Sequence, residues 1–149
     1  MLKEKRSYLF HCLLHNADLI QDHLHIRLAP LGISSQQARV IKALGFLGPI
    51  SQIELAREFG ITAASMSTMT SRLIALELIA AEKDPLNAKK NLLSLTDKSK
   101  ALLDDIDRAW ASTDAVIEES IGQENMQELT ELTRQLRDAL GGRKPGAGS

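Results

Sequence analysis

One stretch near the middle of the chain constrains the fold most, because its helix signals occur in a fixed succession. Ser51 and Glu54 form a capping-box pattern that opens a short helix. Gly60 follows where a left-handed helix cap belongs, and Thr62 can then cap a second helix over 63–77. A short helix, a glycine turn and a longer helix are typical of a helix-turn-helix.

A hairpin pattern follows this helix pair directly. Residues 79–84 and 91–95 have the composition of two short strands. The segment between them, DPLNAKK, has turn chemistry, and Pro85 suits the second position of a turn. A hairpin attached to a helix-turn-helix is a wing.

Amphipathic helices flank the winged segment on both sides. The first covers 7–29, and a capping box at Ser34 opens the next helix, to about Leu44. Thr96 caps a helix of about 25 residues, and a last helix covers about 124–140. The apolar stripes of these last two helices are formed by Leu102, Ile106, Trp110, Thr113, Ile117 and Ile121, and by Met126, Leu129, Leu132, Leu136 and Leu140.

These signals predict a mainly α chain with a winged helix-turn-helix and a two-stranded β wing, flanked by N- and C-terminal dimerisation helices. We place one domain over 1–140, with the winged part at about 34–96 and the dimerisation helices at about 7–29 and 97–140. The glycine-rich end, 141–149, is predicted to be a disordered tail. The stripes are too long for the winged part to cover, so we expect a homodimer.

Composition excludes several classes of protein. Charges interrupt every apolar run before the roughly 18 residues that a membrane span needs, and the first ten residues lack a secretory signal pattern. The single cysteine cannot form an internal disulfide. No phosphate loop, nucleophile motif or paired carboxylates are present, so neither an enzyme nor a cofactor is predicted. We expect a cytoplasmic location.

Charge is unevenly distributed along the chain. Residues 38–96 carry seven basic and five acidic side chains, whereas residues 97–140 carry five basic and eleven acidic. This uneven charge suggests that the two segments have different roles and that the middle of the chain binds an anionic partner. The excess of two positive charges is small for a nucleic-acid-binding segment.

The outward arc of the second helix suggests a DNA-binding face. Projection at 100° per residue places Met66, Met69, Leu73 and Leu76 on a buried arc and small or hydroxylic residues opposite. Such a face fits the major groove, and Arg72 can form a fork with a phosphate or a guanine edge. The candidate DNA-binding residues are Thr62, Ala63, Ala64, Ser65, Ser67, Thr68, Ser71 and Arg72 in the helix, and Asn87, Lys89 and Lys90 in the wing.

In the order and spacing of these motifs the chain resembles the multiple antibiotic resistance regulator (MarR) family along nearly its whole length. The resemblance rests on GPISQIELA at 48–56, on Ser67 with Arg72-Leu73, on Asp84-Pro85 and on Leu95-Thr96. It implies a winged-helix dimer that binds duplex DNA at pseudo-palindromes. It also implies frequent control by a small ligand or an oxidant.

The chain departs from the family pattern in the wing. The family usually has Asp-Pro-x-Asp-Arg-Arg there, with an aspartate–arginine bridge inside the wing, whereas Asn87, Ala88 and Lys89 occupy the matching positions. That bridge cannot form here, and lysine lacks the planar fork that suits a narrow minor groove. Glu77 stands where the family often has glycine.

The first helix offers weaker candidates for a sensor. His11 and His15 lie one helical turn apart, but no further cysteine completes a zinc site. Cys12 does not align with the reactive cysteine of the peroxide-sensing branch, whose position corresponds to Phe10, and we expect a buried thiol. A small aromatic acid or phenol is the ligand that the resemblance suggests, with His15, His23 and Arg27 as polar anchors.

The function that the sequence favours is a dimeric, sequence-specific DNA-binding transcriptional regulator, a repressor modulated by a small ligand. Two alternatives remain open. One is a helical protein–protein adaptor whose winged domain does not bind DNA, and the other is a redox or metal sensor built on the same frame.

Overall fold

The computed structural model describes residues 8–142, so residues 143–149 of the expected tail lie outside the described part. The helices are α1 Leu9–Leu28, α2 Ser35–Leu47, α3 Gln52–Phe59, α4 Ala63–Ala75, α5 Asp97–Lys100, α6 Leu103–Ile121 and α7 Gln123–Ala139. The strands are β1 Ile50–Ser51, β2 Ile79–Asp84 and β3 Asn87–Leu95. The predicted fold class, a mainly α winged helix-turn-helix, is confirmed.

Side-chain caps begin the helices of the winged part as predicted. Ser34 and Ser51 each accept a hydrogen bond from the backbone N–H three residues ahead, and Gln37 and Glu54 complete the two capping boxes. Thr62 caps α4 by accepting from the Ser65 N–H at 3.1 Å. Each cap satisfies a backbone donor that the helix itself leaves without a partner.

The two helices of the helix-turn-helix end in the same backbone motif. After α3 the Ile61 N–H donates to the Ala56 carbonyl, and Gly60 takes the left-handed conformation with φ 63°. After α4 the Leu78 N–H donates to the Leu73 carbonyl in the same way. The left-handed residue there is Glu77, with φ 58°, so α4 ends two residues before the predicted position.

We expect Glu77→Gly to stabilise the protein. A left-handed conformation costs a residue with a Cβ roughly 1–2 kcal/mol, and glycine's greater freedom in the unfolded chain offsets part of the gain. We predict a net gain of about 0.5–1 kcal/mol, visible as a rise of roughly 1–4 °C in Tm by calorimetry at fixed protein concentration. Gly60→Ala is the matched control, because a Cβ there meets nothing within 4 Å and only the cost of the left-handed backbone conformation remains. Its Tm should fall, and a fall for Glu77→Gly as well would contradict the argument.

The sheet is larger than the predicted two-stranded wing. Three antiparallel strands are ordered β1-β3-β2, with Ser51 opposite Leu92 and Ile79 opposite Leu95. Strand β1 was not predicted, because two residues carry no alternation pattern. Asn87–Lys90, which were expected in a loop, belong to β3, and only two residues, Pro85 and Leu86, form the turn.

Two helix boundaries differ from the predictions. Helix α2 continues through Gly45 to Leu47, and a Cβ at position 45 would lie 3.3 Å from Leu103 Cδ2. Glycine therefore allows α2 and α6 to approach closely. The long helix predicted from Thr96 is divided, since α5 ends at Lys100 and α6 starts at Leu103.

The core joins the winged part to the C-terminal end of α1 and to α6. Its largest fully buried side chains include Leu28, Ile41, Leu44, Leu55, Met66, Leu73, Ile79 and Ile106. Each contributes about 1.5–3 kcal/mol through removal from water. Lys42 of α2 also forms an ion pair with Asp107 of α6, with 2.6 Å between Nζ and Oδ1.

The two ends of the described chain lack this cover. No residue of α7 is buried, and its leucines face solvent together with Ile121. Tyr8, Leu9, Phe10 and Leu14 at the start of α1 are also more than half exposed. No helix among the described residues is long and apolar enough to cross a membrane.

Candidate nucleic-acid interface

Helix α4 is held in the winged part by a stripe that differs in part from the predicted one. Met66 and Leu73 are buried as expected, but Leu76 is 42% exposed because it lies beyond the last helical turn. Thr70 takes the buried place, 1% exposed, and its hydroxyl lies 3.0 Å from Gln52 Oε1 of α3. Periodicity of apolar residues cannot find a buried threonine, because its partner is non-local.

The outward face of α4 is as predicted. Ala64, Thr68, Ser71, Arg72 and Ala75 are all exposed, and Ser67 is half buried at the edge. These side chains are short apart from that of Arg72. A duplex could therefore approach the helix backbone closely on this side.

Local hydrogen bonds decide which hydroxyl groups can still donate to DNA. The Thr62 hydroxyl caps α4 and donates to Ser65 Oγ at 2.9 Å, so its proton is used. Thr68 donates to the Ala64 carbonyl at 3.2 Å. Thr62 and Thr68 can therefore offer a base or phosphate little more than acceptor oxygens and methyl groups, whereas Ser65 and Ser71 are better placed to donate.

The wing turn is held by short-range polar contacts. Asp84 Oδ1 accepts from the Leu86 N–H at 2.9 Å, and Asn87 Oδ1 accepts from the Lys89 N–H at 3.2 Å. Lys83 Nζ donates across the hairpin to the Ala88 carbonyl at 3.2 Å. Leu86 is 96% exposed at the tip, and the sequence analysis did not single it out. The exposed Lys89 remains the candidate wing cation as predicted.

Lys90 has a different environment from Lys89. Its Nζ lies 3.2 Å from Glu54 Oε1, while Glu54 Oε2 accepts from the Ser51 N–H at 3.1 Å. The backbone hydrogen bond from Ser51, and next the hydrogen bond from Lys90, lower the pKa of Glu54 below its usual 4.5. The candidate interface thus contains one ion pair between the wing and α3 that the sequence did not indicate.

The lowered pKa makes the Glu54 contribution to stability dependent on pH. Its ionised form is favoured in the folded state, so this contribution is complete above the ordinary pKa of 4.5 and is lost as pH falls through the lower folded-state pKa. We expect the wild type to exceed Glu54→Gln in unfolding free energy by less than about 1 kcal/mol at pH 7, because the pair is half exposed. Denaturant titrations from pH 7 down to pH 3 should show this difference shrinking. A difference that stays constant would contradict the contact.

The sensor candidates on α1 are not brought together. Among residues 8–142 no group of three or more His, Cys, Asp or Glu side chains is placed to hold a metal ion. The prediction of a buried thiol is wrong, since Cys12 is exposed. Of the three candidate ligand anchors, Arg27 and His23 lie together, with 3.4 Å between Arg27 Nη1 and His23 Nδ1, whereas His15 is exposed.

A shallow open groove of about 410 Å³ lies between α6 and α7. Glu118, Met126, Thr130 and Arg134 are among its lining residues, and none of the three candidate anchors on α1 contributes to it.

A helix-turn-helix with an exposed second helix and a β hairpin beside it defines a winged-helix protein. The model of the MarR family matches residues 31–90, which include the helix-turn-helix and most of the wing. The winged part of the chain is similar to the MarR family, and the resemblance stated above is confirmed.

Solved structures agree over nearly the whole chain. The transcriptional regulator PA4135 is 25% identical, with a TM-score of 0.74 over 89% of this chain and 98% of its own. The repressor CouR, solved bound to a 23-mer DNA duplex, is 22% identical, with a TM-score of 0.83 over 91% and 98%. BpsR of Bordetella bronchiseptica, whose DNA binding is regulated by 6-hydroxynicotinic acid, is 19% identical, with a TM-score of 0.80 over 93% and 99%. Among curated proteins no sequence matches the chain significantly.

Proposed function

We propose that the chain is a homodimeric, sequence-specific DNA-binding transcriptional regulator, a repressor in the cytoplasm whose affinity for its operator is modulated by a small ligand. The observation that carries this proposal is the exposed face of α4, small and hydroxylic around Arg72, on the same domain as a wing that carries Lys89. The function needs no catalysis and no cofactor.

The contacts divide into two kinds. In the major groove Arg72 would read a guanine edge or bind a phosphate, while Ser65 and Ser71 donate hydrogen bonds and the alanines contact thymine methyl groups. The N-terminal N–H groups of α4 add a favourable site for a phosphate. Beside the major groove, Lys89 and Asn87 on the wing contact the backbone, where a compact lysine charge suits phosphates.

The dimer follows from the apolar faces that the single chain leaves uncovered. Helix α7 has 17 residues and none of them is buried in the single chain, whereas most helical stability in proteins comes from the packing of an amphipathic face. Its exposed leucines, Leu129, Leu132, Leu136 and Leu140, form one stripe that requires burial. Two-fold association is the commonest way to bury such a face. The structural match to CouR, solved bound to a DNA duplex, covers 91% of this chain and therefore extends beyond the winged domain into the flanking helices.

Ligand control would act where the winged domain, which contains α2, meets the flanking helices α1 and α6. In the dimer, the two copies of α4 can enter successive major grooves only when they lie about 34–36 Å apart. A ligand that prefers one spacing therefore changes DNA affinity. The Lys42–Asp107 ion pair crosses from α2 to α6, so a ligand that rotates α2 against α6 would have to strain it.

Aromatic acids are the ligand class we expect, since BpsR responds to one and its fold matches this chain. The expected result is a loss of DNA affinity when salicylate or 6-hydroxynicotinate is titrated into the protein–DNA complex, followed by fluorescence anisotropy. Arg27→Gln removes a polar anchor on α1, so it should raise the concentration of the acid that is needed to release the DNA. Unchanged affinity across a panel of such acids up to millimolar concentration would indicate a constitutive DNA binder.

Selection from a pool of random duplexes tests the DNA-binding function itself. The dimer should enrich one pseudo-palindromic sequence whose half-sites are centred one helical turn apart. A protein–protein adaptor on the same fold would enrich nothing. The repressor role is tested separately, by placing the enriched duplex over a reporter promoter and comparing expression with and without the protein.

A further inference from the structure

A polar cluster of Ser51, Glu54 and Lys90 connects strand β3 of the wing to the start of α3. Glu54 uses its two carboxylate oxygens separately: Oε2 accepts from the Ser51 N–H at 3.1 Å, and Oε1 lies 3.2 Å from Lys90 Nζ. The Ser51 hydroxyl in turn accepts from the Glu54 N–H at 3.2 Å. The capping box of α3 is therefore also the attachment point for a side chain of β3.

The place of this attachment in the sheet gives it a mechanical role. Strand β1 pairs with β3 only at Ile50 and Ser51, opposite Leu93 and Leu92. Nearer the wing tip, β3 is paired on one side alone, with β2. Lys90 lies two residues beyond the end of the β1 pairing. The ion pair between Lys90 and Glu54 therefore stabilises the β2–β3 hairpin at the point where the hairpin extends beyond the three-stranded part of the sheet.

The electrostatics argue against a phosphate as the partner of Lys90. Moving its ammonium to a phosphate would leave the Glu54 carboxylate without its cation close to the anionic duplex. Lys89, its exposed neighbour, needs no such exchange. The wing also lacks the internal aspartate–arginine bridge, because Asn87 and Lys89 occupy those positions, which leaves the ion pair to α3 as a contact that holds the wing.

We propose that Lys90 is a positioning residue of the DNA interface, which through Glu54 fixes the angle of the wing and does not itself bind a phosphate. Lys90, predicted from the sequence to contact DNA, would then act on the wing and not on the duplex. It rests on the proposed DNA-binding function and deepens it.

The test is a double-mutant cycle in DNA affinity, measured by anisotropy over a range of salt on the duplex enriched by the wild-type dimer. Lys90→Ala and Glu54→Gln each remove the ion pair, and glutamine keeps an oxygen for the capping box. Each should weaken binding about three- to fivefold, with no further loss in the double variant. Lys89→Ala is the matched control: it removes one phosphate contact per protomer and should make the slope of log affinity against log salt shallower by about 1.8.

The slope separates a positioning role from a phosphate contact. If Lys90 positions the wing, the slope of Lys90→Ala equals that of the wild type. A phosphate contact by Lys90 would make the slope of Lys90→Ala as shallow as that of Lys89→Ala, and Glu54→Gln would bind DNA more tightly. That result would overturn the inference. It is also overturned if Lys90→Ala has no effect on DNA affinity. Circular dichroism and the dimer mass confirm that each variant is folded. Wild-type protein that prefers no duplex would instead overturn the proposed function.

Discussion

Leu132→Glu is expected to dissociate the dimer and abolish operator binding. Leu132 is 55% exposed in the single chain and lies centrally in the α7 stripe. In a two-fold dimer the substitution removes two leucines from the interface and places two carboxylates there without partners. Each such charge costs several kcal/mol, so we expect the dimer dissociation constant to rise more than a thousandfold, or by about 4 kcal/mol or more.

Light scattering at micromolar concentration measures this directly. The wild type should have about twice the chain mass of 16.4 kDa, and the variant should have that mass once. Gln127→Glu adds the same charge on the other side of α7 and should stay dimeric. A folded wild-type monomer at this concentration, or a variant that remains dimeric, would show that the stripe is covered in some other way.

Arg72→Ala is expected to weaken operator binding and to relax its sequence preference. The side chain projects from the exposed face of α4, and a bidentate contact to a guanine contributes about 1–3 kcal/mol of discrimination, or about 5- to 150-fold in affinity. Arg72→Lys keeps the charge but loses the planar fork, so it should restore non-specific binding and leave the preference weak.

Competition with single-base variants of the enriched duplex locates the contact. With the wild type, a base change at one position in each half-site should weaken binding. With Arg72→Ala the same base change should no longer weaken it. Arg108→Ala is the control, since this exposed arginine belongs to α6 and pairs with Asp105 of the same helix. Uniform weakening across all duplexes would identify Arg72 as a phosphate contact.

The features predicted well are those whose causes are local in sequence. The capping boxes at Ser34 and Ser51, the Gly60 cap and the exposed face of α4 each depend on residues within one or two helical turns. A sequence pattern contains that information completely. The apolar stripes and the outward face of α4 led us to expect a dimer and a DNA partner, and the family resemblance implies both as well.

The missed features depend on partners distant in the chain. Lys90 and Glu54 are 36 residues apart, and nothing in their neighbourhoods marks the pair beyond opposite charge. The hydroxyl of the buried Thr70 has its partner in Gln52, and the close approach of α6 leaves little room for a Cβ at Gly45. Cys12 was expected in a core that the described single chain does not build around it.

The central claim is that this chain is a dimer that recognises a specific duplex. The most direct measurement is anisotropy at near-physiological salt with two labelled duplexes, the enriched sequence and a scrambled sequence of the same composition. The account predicts a preference of at least about a thousandfold for the enriched duplex, and affinities that fall steeply with salt for both. Equal, weak affinities for the two duplexes would contradict it.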